Sequence, residues 1–232
     1  MNPAAISRWL LDLLFPALCL GCGGEGQYLC SACRAGLHAA TPACPVCGKR
    51  NFTGILCAPC RQESGLRRFL APYSYRDPLV RELIHAYKYE GVRELAGLFA
   101  DEIAAFLTAY GIRPRRSALL VPVPLARSRE RERGFNQAWL LARELSNRLG
   151  LSVLEALKRV RATEQQIEME THAARRANVA DAFRVRDAGM VPGRFVILVD
   201  DVSTSGATLT EAAQALRAAG AKTVWAIAIA KG

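Results

Sequence analysis

Acidic residues are in short supply in this 232-residue sequence: 21 Asp and Glu stand against 31 Lys and Arg, a formal charge of +10. So basic a chain favours anionic partners, whether nucleotides, nucleic acid or acidic surfaces. Long apolar runs are scarce too. The N-terminal stretch Trp9 to Phe15 is interrupted by Asp12, preceded by Arg8, and too short to span a bilayer. No small-x-small cleavage site follows it, so the expectation is an amphipathic helix within Met1 to Leu18, no membrane span and a cytoplasmic protein. Lacking an export signal, the chain is a poor candidate for structural disulfides. A hydrophobic content of 51% excludes a disordered chain, and the length suffices for one large domain and a small one.

The eight cysteines are confined to residues 19–60, as four C-x-x-C pairs: Cys19/Cys22, Cys30/Cys33, Cys44/Cys47 and Cys57/Cys60. PALCLGCG followed by LCSACR matches TPACPVCG followed by LCAPCR, so the segment reads as an internal duplication. Two thiolates spaced this way can turn onto one metal, and two such knuckles close a tetrahedral structural Zn²⁺ site. The duplication argues for sequential sets, Cys19, Cys22, Cys30 and Cys33 on one ion and Cys44, Cys47, Cys57 and Cys60 on another. An interleaved pairing satisfies the same spacing. Redox chemistry is disfavoured, because it needs one pair in a βαβ context rather than four pairs in loops. Composition changes near Arg68, which divides the chain into a zinc-binding module, 1–68, and an α/β domain, 69–232, expected to have separate cores.

Within the larger part, FVILVDDVSTSGATLT at 195–210 organises the rest. Phe195 to Val199 has the length and β-branching of a buried parallel strand. It meets two adjacent carboxylates, Asp200 and Asp201, then small hydroxyl-bearing residues and a helical pattern from Leu209 to Ala219. Strand, loop and helix in that order aim backbone N–H groups at a phosphate. Gly206 permits a positive φ and leaves room for an anion. The acidic pair sits where open α/β sheets bind ligands and suits ribose hydroxyls or hydrated Mg²⁺. An ordinary hydroxyl-rich turn capped by Thr208 leaves the doubled Asp unexplained.

This stretch resembles the phosphoribosyl-pyrophosphate (PRPP) loop of type I phosphoribosyltransferases, with Ser205 where a second Thr is usual. The resemblance implies that Asp200 and Asp201 contact the ribose hydroxyls and that Val202, Ser203, Thr204, Ser205, Gly206, Ala207 and Thr208 bind the 5′-phosphate.

FLAPYSY (69–75) reads as a strand, and Asp77-Pro78 as the N-cap and first residue of a helix that stops near Gly91. Lys88 on that helix is placed either to meet a phosphate or simply to be solvated. A second helix runs from about Arg93 to Tyr110. Leu119 to Leu125 forms a short strand that leaves through prolines into a constrained loop. Arg127, Arg129, Arg131 and Arg133 crowd that loop, and a helix follows from Phe135 toward Gly150. Val153-Leu154, Ala182 to Val185 and Val224 to Ala230 complete the strands. Strands alternating with helices indicate an α/β fold with a mainly parallel sheet.

VPVPL followed by RERGFNQA, together with the four C-x-x-C pairs, the IHAYKYEG run and the PRPP loop, is similar to the ComF/GntX family across nearly the whole chain. The resemblance implies a type I phosphoribosyltransferase-like sheet behind a double zinc ribbon. It assigns the pyrophosphate to Pro124, Leu125, Ala126, Arg127 and Arg129, with Arg133, Asn136 and Gln137 beside them and Lys88 nearby. It implies Mg²⁺ bound with PRPP, two structural Zn²⁺, and transfer to an unidentified nitrogen nucleophile. The Q- and R-rich stretch with Gln166, Met169, Glu170, Arg175, Arg176 and Asn178 falls where a flap or a hood over the base is expected. Two other readings stay open: a single-stranded DNA-handling protein with competence partners, and a PRPP sensor without turnover.

Overall fold

The computed structural model describes residues 16–40, 43–44, 46–49, 51, 53–161, 179 and 181–232. The amphipathic helix expected within Met1 to Leu18 lies almost wholly outside these residues, and so do Gln166, Met169, Glu170, Arg175, Arg176 and Asn178 of the stretch where a flap or hood is expected. The helices are α1 (Ser31–Ala35), α2 (Ala58–Ser64), α3 (Pro78–Tyr89), α4 (Leu95–Ala109), α5 (Arg127–Arg133), α6 (Gln137–Leu149) and α7 (Ala207–Ala218). The strands are β1 (Arg68–Leu70), β2 (Tyr73–Ser74), β3 (Leu119–Pro122), β4 (Ser152–Val153), β5 (Leu157–Arg159), β6 (Phe183–Val185), β7 (Phe195–Ser203) and β8 (Thr223–Lys231). Among the described residues no helix is long and apolar enough to cross a membrane.

The main sheet is parallel throughout, in the order β1-β8-β7-β3-β4, with β2 also on β8. The α/β class expected of the alternating pattern is therefore the class observed. β7 and β8 are both apolar along nearly their whole length because helices cover both faces of the sheet. Ile197 and Val199 pack with α3, α4 and α6, while Val196 and Leu198 pack with α7. The run 69–75 divides into two short strands, since Pro72 supplies no N–H to continue the ladder. β7 extends past the apolar run to Ser203, in register with β8 from Phe195↔Thr223 to Ser203↔Lys231. Pairing at Asp200↔Ala228 and Val202↔Ala230 thus keeps the acidic pair within the strand.

The Asp77 side chain accepts from the N–H groups of Leu79 and Val80 at 2.9 and 3.3 Å, so it caps α3 as its sequence position implies. It also accepts from the N–H of His38 at 3.1 Å, which ties the cysteine-rich segment to α3. A second tie joins Arg34 to Glu102 of α4 at 2.6 Å, with the Tyr73 hydroxyl donating to the same carboxylate. The cysteine-rich segment also reaches the sheet edge itself. Ile55 forms an antiparallel bridge with Arg68, and Leu56 N–H donates to Arg67 O at 3.0 Å. Cys44, Leu56, Cys60 and Leu66 are buried in one cluster with Val196, Leu198 and Ala226. Separate cores were the sequence expectation; the two parts share one, because apolar positions flanking the cysteines face the sheet.

Candidate active site and metal centres

The thiols assemble into two sets, Cys19, Cys22, Cys30, Cys33 and Cys44, Cys47, Cys57, Cys60, with the ligand atoms of each within 4.8 Å of one another. The sets follow chain order rather than interleaving. A tetrahedron with Zn–S bonds of about 2.3 Å places its sulfurs about 3.8 Å apart. The Sγ atoms of Cys22 and Cys30 are 3.7 Å apart, and so are those of Cys47 and Cys57. The N–H groups of Cys30 and Cys33 donate to Cys19 Sγ and Cys30 Sγ at 3.3 and 3.4 Å. Such bonds orient thiolates and spread their charge. Four soft sulfurs at this spacing fit a structural Zn²⁺ in each set.

At the carboxyl ends of β3 and β7 lies a pocket of about 140 Å³. Several chain segments build it, three of them carrying residues singled out in the sequence. β7 supplies Asp200, Asp201 and Val202, with Thr204 and Thr208 following it; the turn after β3 supplies Pro124, Leu125, Arg129, Arg133 and Asn136; the end of α3 supplies Lys88. A larger, open depression of about 520 Å³ lies elsewhere, between α2 and α7, and contains none of these residues.

The acidic pair is asymmetric. Lys88 Nζ lies 2.8 Å from Asp201 Oδ1, both side chains being largely buried, and that oxygen also accepts from Val202 N–H at 2.6 Å. Asp200 is half-buried at the pocket wall and accepts from Asp201 N–H at 2.9 Å. Burial first, then the charge of Asp201, pushes the Asp200 carboxyl up to about 7, against the opposing effects of that N–H, Lys88 and Arg159.

The arginine-rich segment departs from a loop. Arg127–Arg133 forms a helical turn, since alternating Arg and Glu are good helix formers, and Gly134 ends it at φ 74°. Arg129 and Arg133 face the pocket, and Arg127 is exposed outside it. Ala126 is the buried N-cap of that turn. Asn136 caps α6 through Ala138 N–H at 3.0 Å and donates to Val123 O at 3.2 Å, which fixes the post-strand turn to the helix. Gln137 is fully buried and lies behind the pocket. Its side chain accepts from Arg133 at 3.3 Å and donates to Lys88 O at 3.4 Å, and so locks two pocket segments together.

Ser203 ends β7, Ser205 and Gly206 make the turn, and Ala207 begins α7; none of the four is part of the pocket's lining. Gly206 has φ 74° and caps α7, and Ser205 Oγ accepts from Ala207 N–H at 3.4 Å. The Ser203 hydroxyl is buried with no hydrogen-bond partner.

Three pocket residues escape a sequence reading. Tyr75 and Tyr89 line the wall, and Tyr89 receives Arg133 both as a hydrogen bond at 3.2 Å and as a cation–π contact at 4.9 Å. Arg159, at the end of β5, stacks over Phe183 of β6 at 5.3 Å. Burial, then repulsion from Arg129, lowers its pKa to about 10, with Asp200 opposing. No sequence signal marks Arg159, since Leu157-Lys158-Arg159 carries no apolar period of its own.

The pocket therefore sets two carboxylates against four cations, Lys88, Arg129, Arg133 and Arg159. That pattern suits a ligand with hydroxyls for the carboxylates and phosphates for the guanidinium groups.

Residues 136–232 match a phosphoribosyl transferase domain, and residues 10–63 a double zinc ribbon domain. The chain is 31% identical over 198 residues to "Competence protein ComFC" of Bacillus subtilis (strain 168), covering 82% of this chain and 78% of that protein. It is 34% identical over 225 residues to "DNA utilization protein YhgH" of Escherichia coli O157:H7, covering 91% and 96%. It is 31% identical over 227 residues to "Competence protein F" of Haemophilus influenzae, covering 90% and 96%.

Proposed function

This chain belongs to the ComF/GntX family, and from that premise we propose that it binds PRPP in the β3–β7 pocket and transfers its phosphoribosyl group to a nitrogen nucleophile, in a competence-related role. The observation that carries the reading is the convergence of Asp200, Asp201, Lys88, Arg129 and Arg133 from three chain segments on one cavity. Residues 69–232 would form the phosphoribosyl-handling part and residues 1–68 the zinc-bearing part.

Each group then has a physical task. Asp200 and Asp201 accept hydrogen bonds from the ribose hydroxyls. The turn at 203–208 and the start of α7 surround the 5′-phosphate, where Gly206 lets the backbone approach. Arg129, Arg133 and Arg159 hold the pyrophosphate and stabilise the charge it gains on leaving. The half-exposed Asp200 carboxylate is an oxygen donor of the kind Mg²⁺ takes; bound with the diphosphate, the ion would neutralise part of the leaving group's charge. The anomeric C–O bond breaks with its electron pair leaving on pyrophosphate, and the nucleophile's lone pair forms the new C–N bond.

Calorimetry with Mg²⁺ and PRPP, followed by pyrophosphate release against a panel of bases, tests this. Saturable binding is expected, and Asp201→Asn should weaken it by roughly one to two decades, since a charge-assisted hydrogen bond is worth about 1.5–3 kcal/mol. Binding without release under every base replaces transfer by sensing. No binding at millimolar PRPP removes the reading.

A further inference from the structure

Lys231 ends β8 between two neighbours, in register with Ser203 of β7 on one side and Ser74 of β2 on the other. Its carbonyl accepts from Tyr75 N–H at 2.7 Å, and the next residue, Gly232, donates its N–H to Ser203 O at 3.0 Å. A Cβ on Gly232 would come within 3.1 Å of Thr204 Cγ2, so the chain here lies directly against that threonine. Tyr75 and Thr204 both line the β3–β7 pocket. The backbone at 231–232 therefore fixes two pieces of the pocket wall from behind.

The side chain of the same lysine reaches the second cysteine set. Lys231 Nζ donates to Cys44 O at 3.4 Å. Burial lowers the pKa of the ammonium, while Cys44 and Cys47 act in the opposite sense, so it feels the charge of both ligand positions. Four thiolates on Zn²⁺ leave a net negative charge, which a neighbouring cation offsets. The first set is tied elsewhere, through Arg34 to Glu102 of α4 and through His38 to Asp77. Asp77 caps the start of α3, about 16 Å of helix away from Lys88 at its other end.

We infer that Lys231 is a positioning residue that couples metal in the Cys44, Cys47, Cys57 and Cys60 set to ligand in the β3–β7 pocket. The coupling rests on the PRPP reading of that pocket. The element with two states is the end of β8, docked or frayed. Metal and Lys231 together hold it docked, and so hold Tyr75, Ser203 and Thr204 in place. The buried Ser203 hydroxyl, which has no hydrogen-bond partner, makes the docked form costly to keep without such support. A ligand that needs the docked wall favours the loaded set, and by reciprocity the loaded set favours the ligand. Zinc leaves through local opening, so an occupied pocket slows its release.

The test follows zinc release from the full zinc-loaded chain into a chromogenic chelator, with and without saturating Mg-PRPP, beside calorimetry of Mg-PRPP on the same material. Mg-PRPP should slow the release of one zinc equivalent by about fivefold or more, the lower end of ordinary coupling, and leave the other within about twofold. Lys231→Met should hasten release of that same equivalent and cut the protection to less than about twofold. Lys231→Arg, which keeps the cation, should keep the protection. If Lys231→Met melts early, Lys231→Gln is read in the same way. Protection of both equivalents, protection of neither, or protection that survives in a folded Lys231→Met chain overturns the coupling. Calorimetry separates the two failures. Mg-PRPP that binds the parent without altering zinc release overturns the coupling alone, whereas no binding overturns the PRPP reading and the coupling with it.

Discussion

Lys88 at the end of α3 and Asp201 on β7 form an ion pair of 2.8 Å at the floor of the pocket. The lysine neutralises one member of the acidic pair and leaves Asp200 to bear the repulsion. Lys88→Met should cost about 2–3 kcal/mol, somewhat less than breaking a wholly buried pair. The deficit should be widest near pH 8 and narrow toward pH 5, as the unneutralised pair takes up a proton. Thermal melts across that range measure it.

Asp200 behaves in the opposite sense. Its carboxyl, pushed up to about 7, favours the protonated form in the folded chain. Between its unfolded value near 4 and about 7 the folded chain holds the extra proton, so stability falls as pH rises through that window. Asp200→Asn should therefore raise Tm at pH 8, by roughly 4–8 °C if about 2 kcal/mol of repulsion is relieved, and the gain should vanish by pH 4. The same variant should bind Mg-PRPP more weakly. A variant that is less stable at pH 8 contradicts this.

The sequence displays two adjacent aspartates but not which of them is paired. That depends on Lys88, over a hundred positions away in the chain, and on helix phase. Local features were more legible. The Asp77-Pro78 cap and the Gly206 turn depend on neighbouring residues alone, and the strand at 195–199 on its own apolar run. Arg159 reaches the pocket only because Leu157–Arg159 pairs antiparallel with Phe183–Val185. Nothing within Leu157–Arg159 announces that partner. The helical turn at Arg127–Arg133 lacks a buried face and so gives no periodic apolar signal.

Asp77 offers an acid-sensitive tie between the two parts. Burial raises its carboxyl, but hydrogen bonds from His38 and the Leu79 and Val80 N–H groups outweigh this and hold it below the usual carboxylate range. Its contribution is therefore full above about pH 4 and lost as pH falls through the lowered folded value. Asp77→Ala should cost about 1–2 kcal/mol at pH 7, the worth of a helix cap, and much less at pH 2. Urea denaturation at the two pH values checks it.

Metal analysis should give two zinc ions per chain, one for each cysteine set. Because Cys44 and Cys60 are buried with Val196, Leu198 and Ala226, Cys44→Ser should lower the melting temperature of the sheet itself. A sheet that melts unchanged while zinc is lost would show the shared cluster to be energetically divided.

The Ile55–Arg68 bridge gives the cysteine-rich segment the position of an edge guard. β1 would otherwise present open N–H and C=O groups at the margin of a hydrophobic parallel sheet, a template for pairing with another chain. The guard's two cysteine sets are each placed to hold a metal ion. Zinc starvation then translates into stickiness: chains made without metal would expose this margin and be removed as aggregates, so the cell's metal supply would set the number of working copies.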